Sequence, residues 1–253
     1  MESYVIRPMP ILGWDMPKHL LANQFGIGEF VPAIAYSWYI EGPEQKILVD
    51  TSCRSTLLRF VNKQELVTPE DKLQEFGLKP SDIDIVIMTQ LHYEHIGYGT
   101  KYSNATFYVQ KEEYEACVNP HPSYTWIYDK RLLEGLKIEL IEGDQEIVKG
   151  VRTMFTPGHS PGCQSVIVET DKGLAGITGF CCGNVNFYPP VPMGVQENII
   201  CCGMYVNLFE CYDNMKKFRD AVDILIPNHD AEHAKKDMIP ELNTTYTPYH
   251  KVR

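Results

Sequence analysis

Residues 83–97 run Ile83-Asp84-Ile85-Val86-Ile87-Met88-Thr89-Gln90-Leu91-His92-Tyr93-Glu94-His95-Ile96-Gly97. The first half is a short apolar run rich in β-branched residues, the pattern of a buried strand. The second half gathers His92, Glu94 and His95 where that strand should end. Alternate side chains of an extended segment share a face, so Gln90, His92 and Glu94 point to one side. His95 joins them if the chain turns, and Gly97 and Gly99 permit a turn. A single histidine at a strand end is an ordinary surface residue. Three ligand-type residues in so short a span, beside a buried strand, point to zinc or another borderline divalent metal.

Outward from this stretch the chain alternates strands and helices. Residues 4–8 and 33–40 read as strands. Gly42-Pro43 turns the chain into a return strand at 46–49, which ends in Asp50-Thr51-Ser52. Between them, residues 11–32 read as a loop-like stretch carrying Trp14, Met16, His19 and Phe25. Thr68-Pro69-Glu70-Asp71 is a helix start, with a capping threonine, an early proline and acids in the first turn; Gly77 ends that helix. Residues 105–109 form a strand and 111–118 a short helix. Residues 119–135 look irregular, and their Tyr124, Trp126 and Tyr128 are read as packing rather than as a pocket wall. Strands are expected at 137–141 and 151–155, the second running into Thr156-Pro157-Gly158-His159, where proline and glycine impose a sharp turn. Residues 164–168 and 173–178 form a hairpin across Asp171-Lys172-Gly173. Residues 184–204 are loop-like, 207–222 a helix, and 223–226 a strand leading into Pro227-Asn228-His229-Asp230. Residues 244–253 read as a surface extension.

Thr89–Gly97 resembles the T-H-x-H-x-D-H-x-G signature of the metallo-β-lactamase fold, and within it the N-acyl homoserine lactonase branch. Asp50-Thr51-Ser52 resembles the family's D-T-G element. Residues 156–165 resemble its T-P-G-H-T-x-G-H element, and residues 227–230 its closing P-G-H-D element. These elements fall in family order over nearly the whole chain. The resemblance implies an α/β fold, a four-layer αβ/βα sandwich with the site at the sheet edges. It would form one domain over residues 1–253, with two pseudo-symmetric halves near 1–120 and 135–235. Three positions depart from the pattern. Gln90 replaces the first signature histidine, Glu94 replaces the aspartate, and Phe180, in Gly179-Phe180-Cys181-Cys182-Gly183, replaces the aspartate that bridges two metals.

Carried over residue by residue, the resemblance implies one metal site of Gln90, His92 and His159 and another of Glu94, His95 and His229. Asp50 would sit behind them, although a turn-capping role fits it equally well. Cys163 replaces a histidine that is not usually a ligand and is read as packing. Cys181 or Cys182 could supply a thiolate in place of the missing bridge; two buried free thiols is the reading preferred.

An amide oxygen is a poorer zinc donor than imidazole. Two dications with no carboxylate between them repel. One well-held ion, or two of unequal affinity, is therefore expected, with Glu94, His95 and His229 the more complete set. Two histidines and one carboxylate leave open positions for water and substrate. The resemblance implies a metallo-hydrolase in which a metal-bound hydroxide opens a lactone, or another cyclic ester or amide, of a small organic molecule. Zinc, as one or two ions, is the expected cofactor, with Mn2+ and Fe2+ as the other candidates. Glu94, His92 and Asp50 are the catalytic candidates; His92 and His159 either hold a second metal or orient the substrate oxygen. Two alternatives use the same residues. One is a mononuclear non-haem iron enzyme with redox chemistry, whose ligand type is also two histidines and a carboxylate. The other is a degenerate member that binds a small ligand without turnover.

Composition excludes several classes. The chain is 44% hydrophobic and 22% charged, ordinary for a soluble globular protein. No apolar run reaches the length of about 18 residues that a membrane helix needs, and Met1-Glu2-Ser3-Tyr4 is not a secretory signal. A cytoplasmic location with no membrane partner is expected. The eight cysteines are then expected as reduced thiols. A net charge of −10 leaves no basic surface for nucleic acid. The expected partner is a small-molecule substrate, and the resemblance is compatible with a homodimer.

Overall fold

The computed structural model describes residues 3–43, 45–189 and 198–246. Pro190, Pro192 and most of the expected C-terminal extension lie outside these residues. Two sheets carry the fold. The first contains β1 (Val5–Pro17), β2 (Phe30–Glu41), β3 (Ile47–Val49), β4 (Val61–Glu65), β5 (Ile85–Ile87), β6 (Thr106–Gln110) and β7 (Lys137–Ile141). Its order is β4-β1-β2-β3-β5-β6-β7, with β3, β5, β6 and β7 parallel. The second contains β8 (Gln145–Val148), β9 (Val151–Phe155), β10 (Gln164–Thr170), β11 (Gly173–Ile177) and β12 (Ile224–Ile226), in the order β12-β11-β10-β9-β8. The helices are α1 (Lys18–Leu21), α2 (Pro69–Gln74), α3 (Tyr93–Ile96), α4 (Lys111–Val118), α5 (Asn184–Phe187) and α6 (Leu208–Asp220).

Strand alternation sorts the core into layers. Ile47, Val49, Ile85 and Ile87 share one buried cluster with Val166, Val168, Ile177, Ile224 and Ile226, so they fill the space between the sheets. Their neighbours Leu48 and Val86 belong to a second cluster with Phe107, Leu73 and Phe218, between sheet and helices. The result is the α/β sandwich expected from the sequence. The parallel strands β3 and β5, and the strands β9, β11 and β12 of the other sheet, all lead into segments that carry candidate site residues.

Three expectations from the sequence are corrected. Residues 11–32 are not a loop: β1 continues to Pro17 and β2 begins at Phe30, paired along their length with a bulge between Pro10 and Leu12. Pro8 and Pro10 disguised the continuation of β1, because proline inside an apolar run argues against a paired strand. Ile6 turns its N–H away from β2, to Ile239 O at 2.8 Å, and Pro8 and Pro10 share its parity. Their missing donors therefore fall on the side where β2 does not need them. The exposed β4 and the short β8 were not anticipated, and residues 184–187 are a helical turn rather than loop. β7, counted with the second half in the sequence, extends the first sheet beside β6. By contrast α2 starts as expected, with Thr68 Oγ1 accepting from Asp71 N at 3.1 Å.

His233 contributes an acid-sensitive term to this fold. Its ring meets Trp38 edge-on at 5.6 Å and is almost wholly buried. Burial, opposed by Asp230, lowers its pKa to about 4, with Lys236, Glu232 and Glu241 as the other charged groups around it. The unfolded imidazole titrates near 6.5. Between these values the unfolded chain holds a proton that the folded chain lacks, so stability falls as pH drops from 6.5 and the loss levels off below 4. Between pH 7 and pH 5 this amounts to about 2 kcal/mol. Urea unfolding of the His233→Gln variant should show a pH-dependent loss smaller by that amount; an unchanged loss would remove His233 as a cause.

Candidate metal centre

The site is built from strand ends. β3 runs into Asp50, which adopts a left-handed conformation at φ +56°. Such backbone in a non-glycine residue is maintained only where its surroundings over-determine it, and Asp50 is held by four donors. Its Oδ1 accepts from Thr89 N at 2.8 Å; its Oδ2 accepts from Thr89 Oγ1 at 2.7 Å, from Asn228 Nδ2 at 3.2 Å and from His95 Nδ1 at 2.7 Å. β5 ends at Ile87, so Gln90, His92 and Glu94 are not alternate residues of one extended strand as the sequence suggested; α3 begins after His92, and its helical turn brings Glu94 and His95 together. A Cβ at Gly97 would lie 2.4 Å from the Cys53 Cβ, which is why only glycine lets α3 approach so closely.

His159 and His229 arrive from the other sheet. Gly158, at φ +120°, turns the chain after β9; a Cβ there would lie 2.3 Å from Cys211 N, so α6 packs directly on this backbone. The turn aims His159 inward, its Nδ1 donating to Met204 O at 2.6 Å. His229 follows β12 and donates Nδ1–H to Ile34 O at 2.9 Å. Three imidazoles are thus tethered through Nδ1, to a carboxylate or a backbone carbonyl. Such a tether fixes the tautomer and leaves Nε2 as the free donor, the arrangement seen behind metal-ligating histidines.

Those free donors converge. A carboxylate oxygen of Glu94 and one ring nitrogen each of His95 and His229 lie within 4.8 Å of one another. His95 Nε2, His229 Nε2, Glu94 Oε2 and both ring nitrogens of His92 are buried without a hydrogen-bond partner. Buried unpaired polar atoms are costly, and a cation shared by Glu94, His95 and His229 answers those of these three residues. Electrostatics agree. Burial and the neighbouring His95 push His229 down to about 3, and burial pushes His159 down to about 4 and His92 well below its usual value. Neutral imidazole is the form that binds metal. Burial also disfavours charge on His95, but Asp50 and Glu94 outweigh it and leave that pKa raised. Burial raises the Glu94 pKa, with His95 opposing the rise.

The second candidate set, Gln90, His92 and His159, lies beside the first. Gln90 Nε2 donates to Gly179 O at 3.0 Å, which fixes the amide orientation and turns Oε1 toward His159 Nε2 at 3.2 Å. With Nδ1 already donating to Met204 O, that Nε2 is a lone pair facing a second acceptor. A cation between them relieves the contact. His92 completes the set, its ring 5.1 Å from the His159 ring. Phe180 is fully buried at the position of the bridging aspartate. Cys182 turns its Sγ toward Thr178 Oγ1 at 3.1 Å, and neither Cys181 nor Cys182 joins the Glu94–His95–His229 group.

Aromatic rings frame the cluster. Trp14 meets His229 edge-on at 5.5 Å and stacks on Phe60, while Tyr128 meets His92 edge-on at 4.9 Å. Trp14 and Tyr128, read as loop and packing, both stand against candidate ligands.

The sequence missed Glu113 entirely. This fully buried acid of α4 accepts from Leu91 N at 2.9 Å and Tyr128 Oη at 3.0 Å through Oε1, and from Ser160 Oγ at 2.6 Å and Gly162 N at 3.0 Å through Oε2. It therefore ties the His92 loop to the His159 loop. Burial raises its pKa, and the four donors oppose the rise. Lys111-Glu112-Glu113 reads in sequence as acids at a helix start, and only the fold shows which of them turns inward.

The family model of the metallo-beta-lactamase superfamily matches residues 31–179, more than half of the chain. The chain belongs to the metallo-beta-lactamase superfamily. An N-acyl homoserine lactonase from Bacillus cereus is 35% identical over 167 residues, covering 60% of this chain and 65% of that protein, just under two thirds of its length. The N-acyl homoserine lactonase AttM from Rhizobium radiobacter is 34% identical over 107 residues, 39% of this chain and 41% of that protein. The solved structure of a B. thuringiensis AiiA variant with N-decanoyl-L-homoserine bound at the active site has a TM-score of 0.77 at 25% identity, over 97% of this chain and 100% of that chain. An N-acyl homoserine lactone hydrolase with N-hexanoyl-L-homoserine bound at its catalytic metal centre has the same TM-score, identity and coverage.

Within this superfamily member, Asp50 makes a specific expectation testable. Asp50→Asn preserves volume but weakens the acceptor that holds His95 Nδ1–H. Loss of such a support typically costs about 10- to 100-fold in metal affinity. Competition with a chelator of known affinity should report a loss of that size; wild-type affinity would reduce Asp50 to a turn cap.

Proposed function

We propose that this protein is a metal-dependent hydrolase that opens the lactone ring of a small acyl-lactone, with its tightest metal held by Glu94, His95 and His229. The observation that carries this reading is the convergence of unpartnered, buried Nε2 atoms and a carboxylate oxygen on one point. Borderline nitrogen and oxygen donors suit zinc. The lactonase relatives supply the substrate class. Gln90, His92 and His159 form a second, weaker site, because an amide oxygen replaces an imidazole and Phe180 supplies no bridging anion.

When bound, the metal supplies Lewis acidity toward the lactone carbonyl and lowers the pKa of water toward neutrality. The residues of the chain do the rest. Asp50 holds the tautomer of His95, and the Met204 and Ile34 carbonyls hold those of His159 and His229. Glu94 lowers the net positive charge of the centre; its Oε1 stands 3.9 Å from His92 Nδ1 and from His95 Nε2, and its unpartnered Oε2 is left to accept a proton. Trp14, Phe60 and Tyr128 offer apolar surface beside the ligands, suited to the non-reacting part of the substrate.

Protein purified without added metal should contain zinc, with one ion resisting mild chelation. N-hexanoyl homoserine lactone hydrolysis, followed by proton release, should stop on full chelation and return with zinc. Metal-free protein, or turnover indifferent to chelation, would overturn the reading; iron with oxygen-dependent turnover would replace it with redox chemistry.

A further inference from the structure

Three of the eight cysteines gather outside the imidazole–carboxylate cluster. Cys201 and Cys202 lie ahead of α6, and Cys211 lies within its first half. Their Sγ atoms all lie within 4.8 Å of one another, and those of Cys202 and Cys211 are 3.4 Å apart. All three are buried free thiols. Neighbouring residues of an extended chain point to opposite sides, yet Cys201 and Cys202 turn to the same point. The polar atoms they meet are weak partners: Cys202 Sγ lies 3.1 Å from Met204 O and 3.9 Å from His159 Nδ1, and Cys201 Sγ lies 3.9 Å from Leu208 O.

We propose that Cys201, Cys202 and Cys211 form a separate site for a thiophilic d10 cation, of the class that includes zinc and cuprous ion. Thiolates select such ions over hard cations. Metal–sulfur bonds of about 2.3 Å in tetrahedral geometry place sulfurs about 3.8 Å apart, a spacing the trio reaches by small side-chain rotations. For a divalent ion the step balances as M2+ + 3 RSH → [M(SR)3]− + 3 H+; a monovalent ion leaves the complex one charge more negative. The bound ion would tie residues 201–204 to α6. That segment includes the Met204 carbonyl, which holds His159 Nδ1–H. The site therefore lies one imidazole away from the candidate centre and braces its weaker half.

Cadmium distinguishes this site from the other, because only thiolate ligands give an intense ligand-to-metal charge-transfer band in the near ultraviolet. Full-length protein, purified under reducing conditions and stripped of metal, is titrated with Cd2+ beside the Glu94→Ala, Cys211→Ser and Cys201→Ser variants. Circular dichroism checks that each variant is folded. The band should appear in the wild type and in Glu94→Ala and be lost or strongly reduced in both cysteine variants. Elemental analysis of the unstripped protein then tells zinc from copper. No band in the wild type overturns the proposal. A band lost in Glu94→Ala but kept in both cysteine variants assigns the thiolate to the candidate centre and also overturns it. So does a Cys202–Cys211 disulfide that re-forms in the wild type and blocks cadmium uptake, seen as a mass lower by two hydrogens.

Discussion

Glu94→Ala will lose its tightest metal ion and hydrolyse lactone about a thousandfold more slowly, while the metal-free variant will be no less stable than metal-free wild type. The first effect follows from the donor set. Without Glu94, the His95–His229 pair has two neutral nitrogens and no anion to offset a dication. A thousandfold loss corresponds to about 4 kcal/mol of transition-state stabilisation, within the several kcal/mol that Lewis-acid catalysis supplies. The second effect follows from burial. In the metal-free protein Glu94 is a desolvated carboxylate with an unpartnered oxygen, so its removal relieves a cost of about 1–3 kcal/mol. A residue needed only for packing would behave in the opposite way. His92→Ala should spare the tight metal, since His92 belongs to the other half. Metal content, chelator-dependent melting and turnover of the two variants together decide the matter. Equal metal loss in both would mean that the two halves bind as one unit.

Glu113→Ala is expected to be the most destabilising single change around the site, by about 3–5 kcal/mol. Truncation leaves the Leu91 and Gly162 N–H groups buried with no acceptor, along with two hydroxyls. For a chain of this size that corresponds to a fall in melting temperature of about 10 °C. Glu113→Gln sharpens the test. Each carboxylate oxygen accepts from one backbone N–H and one hydroxyl, so either orientation of an amide points its NH2 at a backbone N–H that cannot reverse. The isosteric variant should therefore also be destabilised, by about 2 kcal/mol. Both variants should bind metal more weakly at Gln90, His92 and His159 than at Glu94, His95 and His229. Wild-type melting in both would show that Glu113 does not hold the two loops.

The legibility of this chain followed the range over which each signal acts. Strand alternation and the Thr89–Gly97 signature are local, so β5 and the candidate ligands after it could be read directly, although α3 was read as extended chain with a turn. The Pro-Gly turn before His159 and the apolar run before His229 are local too. The continuation of β1 beyond Pro8 was hidden because Pro8 and Pro10 are costly only on a paired side, and which side is paired is a property of the whole sheet. Trp14 was hidden with it. Glu113 looks like its neighbour Glu112 until α4 is docked. The cysteine trio has no spacing motif, because Cys211 meets the other two only after α6 folds back over Gly158. Gln90, Glu94 and Phe180 were legible as departures, but the orientation of the Gln90 amide, set by its hydrogen bond to Gly179 O, was not.

The ligands proposed for the tight half-site come from both sheets: Glu94 and His95 follow β5 of the first, and His229 follows β12 of the second. A metal ion there would act as a rivet across the seam of the sandwich. At a free concentration a thousandfold above its dissociation constant it would add about 4 kcal/mol to folding, delivered at one edge. Chelation should then loosen the seam from that edge inward. Amide exchange would quicken first at residues 88–97 and 226–230, while the far ends of the same strands stay protected.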